Sequence, residues 1–383
     1  MGQATTTAPH PHASPDKSVT DGRLQGLERA GAWRLFWWKF KKHRLAVGSG
    51  ILIILIYLIS MFAEFLAPYA PGDYGARYTY APPQGLHIWD GENFSLHVLG
   101  YDVEFNPESY EREFIVDPEQ KVPLGFFVKG SPYKMWGLFA SDIHFLGPLD
   151  PSQPMYLLGA DRLGRDMLSR IIYGTRVSMT VGLVGVSLSL FLGVLLGGIS
   201  GYFGGHIDNA IQRLIEFLLA IPTIPLWMGL AAAIPPTLPP LQVYFMITII
   251  LSLVGWTGLA RVVRGRFLAM RNEDFVTAAR LDGAGEVGLI LRHMLPSFSS
   301  HIIAAVTLAI PVMILSETAL SFLGIGLRPP VVSWGVLLQE AQNIRSVATA
   351  PWLLTPGLAV VITVLALNFL GDGLRDAADP YAD

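Results

Sequence analysis

The chain carries apolar runs that are too long for a solvent-exposed surface and too numerous for one soluble core. Ile51-Leu-Ile-Ile-Leu-Ile-Tyr-Leu-Ile is the plainest of them, and comparable runs recur along the sequence. A helix needs about 20 mostly apolar residues to cross the hydrocarbon of a bilayer. Six segments reach that length, at about 45–68, 177–202, 207–234, 241–263, 297–325 and 352–370. Within hydrocarbon each backbone N–H and C=O must be paired internally, so such runs form helices rather than loops. Overall composition agrees: 51% of the 383 residues are hydrophobic and 15% charged, against about 25% charged in soluble domains. The expected fold class is an all-α polytopic membrane protein with six transmembrane helices.

Within these segments, Pro222, Pro225, Pro311 and Pro356 are tolerable because neighbouring helices re-satisfy the freed backbone groups. Gly193, Gly197 and Gly201 recur every four residues, a small-residue face suited to close helix packing. Lys and Arg concentrate on the cytoplasmic side of membrane crossings. Arg34, Lys39, Lys41, Lys42 and Arg44 precede the first segment; Arg261, Arg264, Arg266, Arg271, Arg280 and Arg292 separate the fourth from the fifth. Both flanks are therefore expected in the cytoplasm, and six crossings place both termini of this multi-pass protein there. Between 68 and 159 the balance reverses, with five Lys or Arg against twelve Asp or Glu. That stretch belongs outside.

The chain divides accordingly. Residues 1–22, rich in Thr, Pro, His, Ser and Ala, have the composition of a disordered tail. Residues 23–44 contain Trp33-Arg-Leu-Phe-Trp-Trp-Lys-Phe-Lys-Lys, apolar and cationic together, which suits a helix lying in the cytoplasmic interface. After the first span at 45–68 comes an extracytoplasmic insertion, 69–156. Leu86-His-Ile-Trp and Phe94-Ser-Leu-His-Val flank Asp90-Gly-Glu-Asn as a β-hairpin would, and residues 121–129 read as a further strand. The insertion is expected to be small and β-rich. The remaining core, 157–383, holds the other five spans and a polar segment at 264–296. No cysteine is present, so disulfides and thiolate metal sites are excluded.

Enzymatic signatures are missing. No Gly-Lys pair occurs, hence no P-loop to cradle phosphates. There is no His-Glu-x-x-His, the nine histidines are scattered, and no nucleophile elbow is found. Neither a bound cofactor or metal nor a nucleic-acid partner is expected.

The polar segment differs in kind. Ala278 and Ala279 are helix formers without bulk, so another surface can approach their backbone. Gly283 and Gly285 permit the positive φ values that end one short helix and begin another. Glu286 suits the first turn of the second helix, Arg292 and His293 its last turn, and Pro296 opens the next span. Phe275, Val276, Leu281 and Val287 would be available to fill a partner's groove.

This helix–turn–helix pattern resembles the cytoplasmic coupling loop of type I ABC-importer permeases. Thr277 replaces the Glu of the family's usual Glu-Ala-Ala start, while Ala278, Ala279, Gly283, Leu295 and Pro296 fit. Leu158-Gly-Ala-Asp-Arg-Leu-Gly-Arg-Asp-Met-Leu-Ser-Arg, Gly201-Tyr-Phe-Gly-Gly-His-Ile-Asp and Glu317-Thr-Ala-Leu-Ser-Phe-Leu-Gly-Ile-Gly-Leu-Arg-Pro-Pro, with Ser333-Trp-Gly, resemble the C-type subunit of dipeptide and oligopeptide permeases, in its long-insertion form. The resemblance implies a place in a bacterial inner (plasma) membrane, a heterodimer with a second permease subunit, two cytoplasmic ATPase subunits that use ATP and Mg, and an extracytoplasmic solute-binding protein. It implies di- or oligopeptides as cargo, with oligosaccharides, nickel or opines as alternatives. An ion-coupled secondary carrier is the reading from another class. Such carriers place ionisable relays at the midplane, and only Glu317 qualifies.

A charge at Glu317 inside a span costs on the order of 3 kcal/mol on insertion scales, so it should line the solute path or hydrogen-bond within the bundle. Arg213 and Glu216, three residues apart, should pair on one helix face. Asp161 and Asp166 read as helix-capping and first-turn acids.

Overall fold

The computed structural model of the chain describes residues 32–89, 94–105, 107 and 112–378. The expected tail at 1–22 and the turn at 90–93 lie outside them. Helix α1, Ala32–Lys42, lies within the segment expected to rest in the interface. Lys42 Nζ sits 3.7 Å from the centroid of the Trp38 ring, a cation–π pair. Its Phe40 is buried with Ala46 and Ala377, while Trp37 and Trp38 remain about half exposed.

Helix α2, Arg44–Met61, buries Ala46, Ile53, Ile56 and Ser60. Ile51, Ile54, Leu55 and Leu58 are exposed on it, leaving an apolar outer side suited to lipid. The expected span to residue 68 is interrupted at Phe62, after which α3 covers Ala63–Leu66. The interruption coincides with an ionic staple. Arg176 donates from Nε to the Ser60 carbonyl at 2.9 Å and from both terminal nitrogens to Glu64, at 2.6 and 2.5 Å. Burial alone would raise the Glu64 carboxyl, but the Arg176 hydrogen bonds and charge hold it below its ordinary value.

Between α3 and the next long helix lies an antiparallel meander of β1 (Leu86–Trp89), β2 (Phe94–Phe105), β3 (Arg112–Met135) and β4 (Phe139–Pro148), in that spatial order. The hairpin expected from sequence is present, with Trp89 opposite Phe94 and Leu86 opposite Val98. The strand expected at 121–129 is the middle of β3, whose two ends pair with β2 and β4. Val98, Val122, Leu124 and Met155 form one small core beneath it; Ala81, Tyr101, Tyr156 and Ala160 form another. Trp136 donates to the Met61 carbonyl at 2.7 Å. His144 is buried, with Nδ1 at 2.6 Å from the Ala67 carbonyl. These contacts fix the sheet to the end of the first span.

The helical body begins with α4, Met167–Phe203. It starts ten residues before the expected 177 because Asp166 caps it, accepting from the Ser169 N–H at 2.7 Å. The expected third segment, 207–234, is instead two helices, α5 (Gly205–Ala220) and α6 (Thr223–Ala232), bent by 87°. Ile221 precedes a proline and is extended (φ −89°, ψ 128°), and Pro222 offers no N–H to continue the ladder. Helix α7 spans Pro240–Met270. Among the described residues five helices are long and apolar enough to cross a membrane, or six if the bent pair is one span.

The glycine face of α4 packs directly on α7. A Cβ at Gly197 would lie 2.5 Å from the Ala260 carbonyl oxygen; at Gly201, 2.7 Å from that of Arg264; at Gly193, 3.0 Å from Leu259 Cβ. Val181, Val186, Ile247, Leu251, Met313 and Leu320 make the main core. A second cluster joins Ile53 and Ile56 of α2 to Met179, Ile314, Trp334 and Leu367.

Candidate functional site

The expected 264–296 segment begins as the last turns of α7, and residues 271–298 fold as a helix–turn–helix docked on the end of that helix. Helix α8, Asp274–Leu281, carries an acid in its first turn and Arg280 in its last, both favourable to the helix dipole. Gly283 ends it with φ +86°. The Ala284 N–H bonds to the Ala279 carbonyl at 3.0 Å and the Gly283 N–H to that of Arg280 at 3.1 Å, the Schellman arrangement. Gly285 departs from expectation: its φ is −69°, an ordinary extended conformation. Its role is to precede α9, Glu286–Gly288, and its carbonyl accepts from Leu289 N at 2.9 Å. A π-helical stretch, Leu289–Met294, follows, then the short α10, Leu295–Ser297. Pro296 therefore lies inside α10 rather than opening the next span. Phe298 breaks the chain direction (φ −125°, ψ 22°) before α11, Ser299–Phe322.

Two faces of α8 separate cleanly. Val276 and Ala279 are buried with Val263, Phe267 and Met270 of α7 and with Leu289, Met294 and Phe298. Val276 is fully buried, so it anchors the segment to its own chain and cannot fill a partner's groove. Phe275, Thr277, Ala278 and Leu281 are exposed, and Leu281 at 83% and Val287 at 68% are unusually bare for aliphatic side chains. Phe275, Ala278 and Leu281 are spaced three apart, which sets them along one ridge. Leu295 is half-buried and Pro296 exposed.

Just before this segment lies a clamp that sequence reading missed. Gly204 (φ +67°) and Gly205 (φ +57°) turn the chain between α4 and α5. The turn delivers Asp208 to Arg264 of α7, which donates to it from Nε and Nη2 at 2.5 and 2.6 Å. Ser200 of α4 donates to the same carboxylate, and Gln212 to Ser200 Oγ at 3.2 Å. The clue in the sequence was Gly-Gly-His-Ile-Asp, with two consecutive glycines setting an acid at a fixed offset.

Glu317 is fully buried. Ser321 and Ser333 donate to its Oε1 at 2.7 and 2.8 Å, and Ser178 lies 3.5 Å from Oε2. Ser178 also accepts from the Trp334 N–H at 3.1 Å. The carboxylate thus links α4, α11 and the start of α12, Trp334–Gln339. Arg213 and Glu216 pair at 2.7 Å on an exposed face, as their spacing required.

Asp166 caps α4 as expected, but Asp161 does not cap. It is fully buried and accepts from the backbone of Leu163 (2.8 Å) and Arg165 (3.0 Å), from Arg165 Nε (2.7 Å) and from Arg170. Glu340 accepts from Arg162 N at 2.9 Å, and burial, then the Asp161 charge, push its carboxyl above its ordinary value.

Residues 193–382 match the family model described as a binding-protein-dependent transport system inner membrane component, and residues 31–83 that of the N-terminal TM domain of oligopeptide transport permease C. A dipeptide transport system permease protein of Haemophilus influenzae is 33% identical over 346 residues, covering 90% of this chain and 93% of that one. A di/tripeptide transport system permease protein of Pseudomonas aeruginosa is 31% identical, with coverages of 90% and 91%. A glutathione transport system permease protein of Pectobacterium atrosepticum is 30% identical, covering 91% of each. Among solved structures, inward-facing conformations of the MetNI methionine ABC transporter align at 17% identity and a TM-score of 0.43, over 56% of this chain and 98% of that one.

Proposed function

Because this chain belongs to the permease family of binding-protein-dependent peptide transport systems, we propose that it is the C-type permease subunit of an ABC importer that moves di- and oligopeptides. The near-full-length likeness to dipeptide permeases carries this reading. The subunit is non-catalytic. ATP and Mg are held by two separate ATPase subunits, consistent with a sequence that has no Gly-Lys pair. A second, homologous permease completes the pathway, and a binding protein delivers the solute. The cationic residues around α1 and between α7 and α11 support a cytoplasmic location for both, with the acidic, aromatic meander outside. On that orientation the sheet offers the binding protein a docking platform. Deleting 86–148 should weaken binding-protein affinity, and unchanged affinity would refute that role.

The coupling element is the ridge of Phe275, Thr277, Ala278 and Leu281, with Gly283, Gly285, Leu295 and Pro296 shaping its return. Its inner face is locked to α7 through Val276 and Ala279. Force applied to the ridge by a moving ATPase therefore reaches α7 without slack, and α7 passes it to α4 along the glycine contact. Glu317, held by three serines, is better suited to keeping α4, α11 and α12 in register than to meeting solute.

The test is Gly283→Val in the assembled transporter. No neighbouring atom lies within 4 Å of a Cβ placed at Gly283, so the branch point itself meets no obstacle. A β-branched residue at φ +86° nevertheless costs on the order of 1–3 kcal/mol, and relief of that strain re-aims α8. ATP-driven dipeptide uptake in vesicles should be lost while membrane insertion is kept. Normal uptake would refute the coupling assignment; uptake that continues without ATP or binding protein would refute the importer itself.

A further inference from the structure

Where the meander meets α4 there is an open cavity of about 310 Å³, at the lower end of the size of small-molecule sites. Its polar wall mixes donors and acceptors, and two of the acceptors stand out. Asp166 and Gln153 line it, and Asp166 Oδ1 and Gln153 Oε1 are both buried with no hydrogen-bond partner among the described residues. Asp166 is 4% exposed; its bonds from Ser169 N and Oγ go to Oδ2, and the Leu168 N–H lies beside the same carboxylate. The two cations nearest in sequence, Arg165 and Arg170, are both bonded to Asp161. Buried acceptors left without a donor are uncommon in native proteins and call for an explanation.

The rest of the wall suits a cation. Tyr69, Tyr74, Tyr78 and Tyr156 contribute rings or hydroxyls. The Tyr69 hydroxyl already accepts from Met155 N and that of Tyr156 donates to the Gly164 carbonyl. Asp73 stands at the exposed mouth, accepting from Ala70 N and Ser131 Oγ. Lys129 also lines the cavity, from an exposed position on β3. Burial, and then the negative charge of Asp161, push the Asp166 carboxyl up to about 6 against its hydrogen bonds from Ser169. An anion would meet that carboxylate unfavourably. A divalent metal would need more ligands than are gathered here, since among the described residues no three acidic, His or Cys side chains form a metal-binding group. An ammonium group fits: it has three donors and no acceptor, and tyrosine faces attract it.

We propose that this cavity binds a small primary amine in its protonated form, with the ammonium donating to Asp166 Oδ1 and Gln153 Oε1. The site is separate from the coupling segment and from Glu317, and it does not depend on which solute is transported.

The test uses the purified transporter in lipid nanodiscs, in amine-free buffer at pH 8, titrated with methylammonium. Potassium and tetramethylammonium serve as controls: both are cations, and neither has an N–H. Methylammonium should raise the thermal midpoint saturably and the controls should not. Asp166→Asn keeps the helix cap, because Asn caps as well as Asp, but can turn a donor toward the cavity. It should weaken binding by roughly ten- to a hundredfold, as expected for losing one charge-assisted hydrogen bond. Gln153→Leu, in a loop outside the cap, should weaken it as well and serves if the first variant does not fold. No saturable shift, an equal shift with potassium, or full binding in the variants would overturn the assignment.

Discussion

The contact between α4 and α7 makes a quantitative prediction through a graded set of Gly→Ala substitutions. At Gly197 the added Cβ would lie 2.5 Å from the Ala260 carbonyl oxygen and 2.9 Å from Ala260 Cα. Carbon–oxygen contacts of this kind settle near 3.3–3.6 Å, so the shortfall is close to 1 Å. Both obstructing atoms are backbone, which cannot rotate away, so the helices must separate. At Gly201 the obstructions are Phe267 Cβ at 2.6 Å and the Arg264 carbonyl at 2.7 Å, neither of which can rotate away. At Gly193 the obstacle is the Leu259 side chain at 3.0 Å, and at Gly48 nothing lies within 4 Å. Overpacking costs about 1–3 kcal/mol, against about 1 kcal/mol gained when Ala replaces Gly in a helix. Gly48→Ala should be neutral or stabilising and Gly193→Ala near neutral. Gly197→Ala and Gly201→Ala should fall about 2 kcal/mol below Gly48→Ala. Thermal unfolding of the purified transporter, followed by loss of monodisperse protein, measures the order. Equal midpoints for Gly48→Ala and Gly197→Ala would refute the backbone contact on which the reasoning depends.

Other predictions are more local. The Asp208–Arg264 pair is partly buried, with side chains 15% and 31% exposed. A double-mutant cycle with Asp208→Asn and Arg264→Gln should therefore give a coupling of about 1–2 kcal/mol, and additive effects would exclude the clamp. Each single variant should also lower binding-protein-stimulated ATPase activity more than basal activity. For Asp166, the folded carboxyl is raised to about 6 from an ordinary 3.8. Its contribution to stability is thus fully present below about pH 4 and lost as pH rises through 6, by roughly 3 kcal/mol. In amine-free buffer Asp166→Asn should gain stability relative to the parent between pH 4 and 7; a difference independent of pH would contradict the burial. Glu317→Gln keeps most acceptors of the serine node and should be tolerated, whereas Glu317→Leu strands the Ser321 and Ser333 hydroxyls and should lower the midpoint by several degrees. Equal stability of the two would argue against a structural node.

Most of the helical plan was legible because hydropathy and small-residue spacing act over whole segments. The Gly193, Gly197 and Gly201 face found its partner as expected, and Trp89 meets Phe94 across the hairpin. What escaped depends on particular long-range partners. The first turns of α4 read as polar because Ser169, Arg170 and Thr175 look solvated in sequence, yet all three are buried. The bend at Ile221 and Pro222 was masked because a hydropathy window sums across it, although the proline was visible. In α8 apolar residues lie on both sides, so sequence alone could not tell that Val276 faces inward while Phe275 and Leu281 face out. Asp161 was mistaken for a cap because its arginine partners are set by the turn it organises. Within the candidate site, Gly283 was legible through its left-handed position and Gly285 was not, since an extended glycine looks the same in sequence.

The clamp on α7 has a mechanical corollary. At 1.5 Å per residue, α7 is a rod of about 46 Å. Arg264, pinned by Asp208, lies about 9 Å from its Met270 end and about 36 Å from its Pro240 end. If that pin is the fulcrum, a displacement of 1 Å at the Met270 end becomes about 4 Å at the other. Because the glycines of α4 leave no clearance, α4 must swing with α7, and the pair amplifies movement much as an unequal-armed lever does. Moving the pin one turn along α7 would then change the stroke of the transporter without touching the surface at which force enters or the path the solute takes.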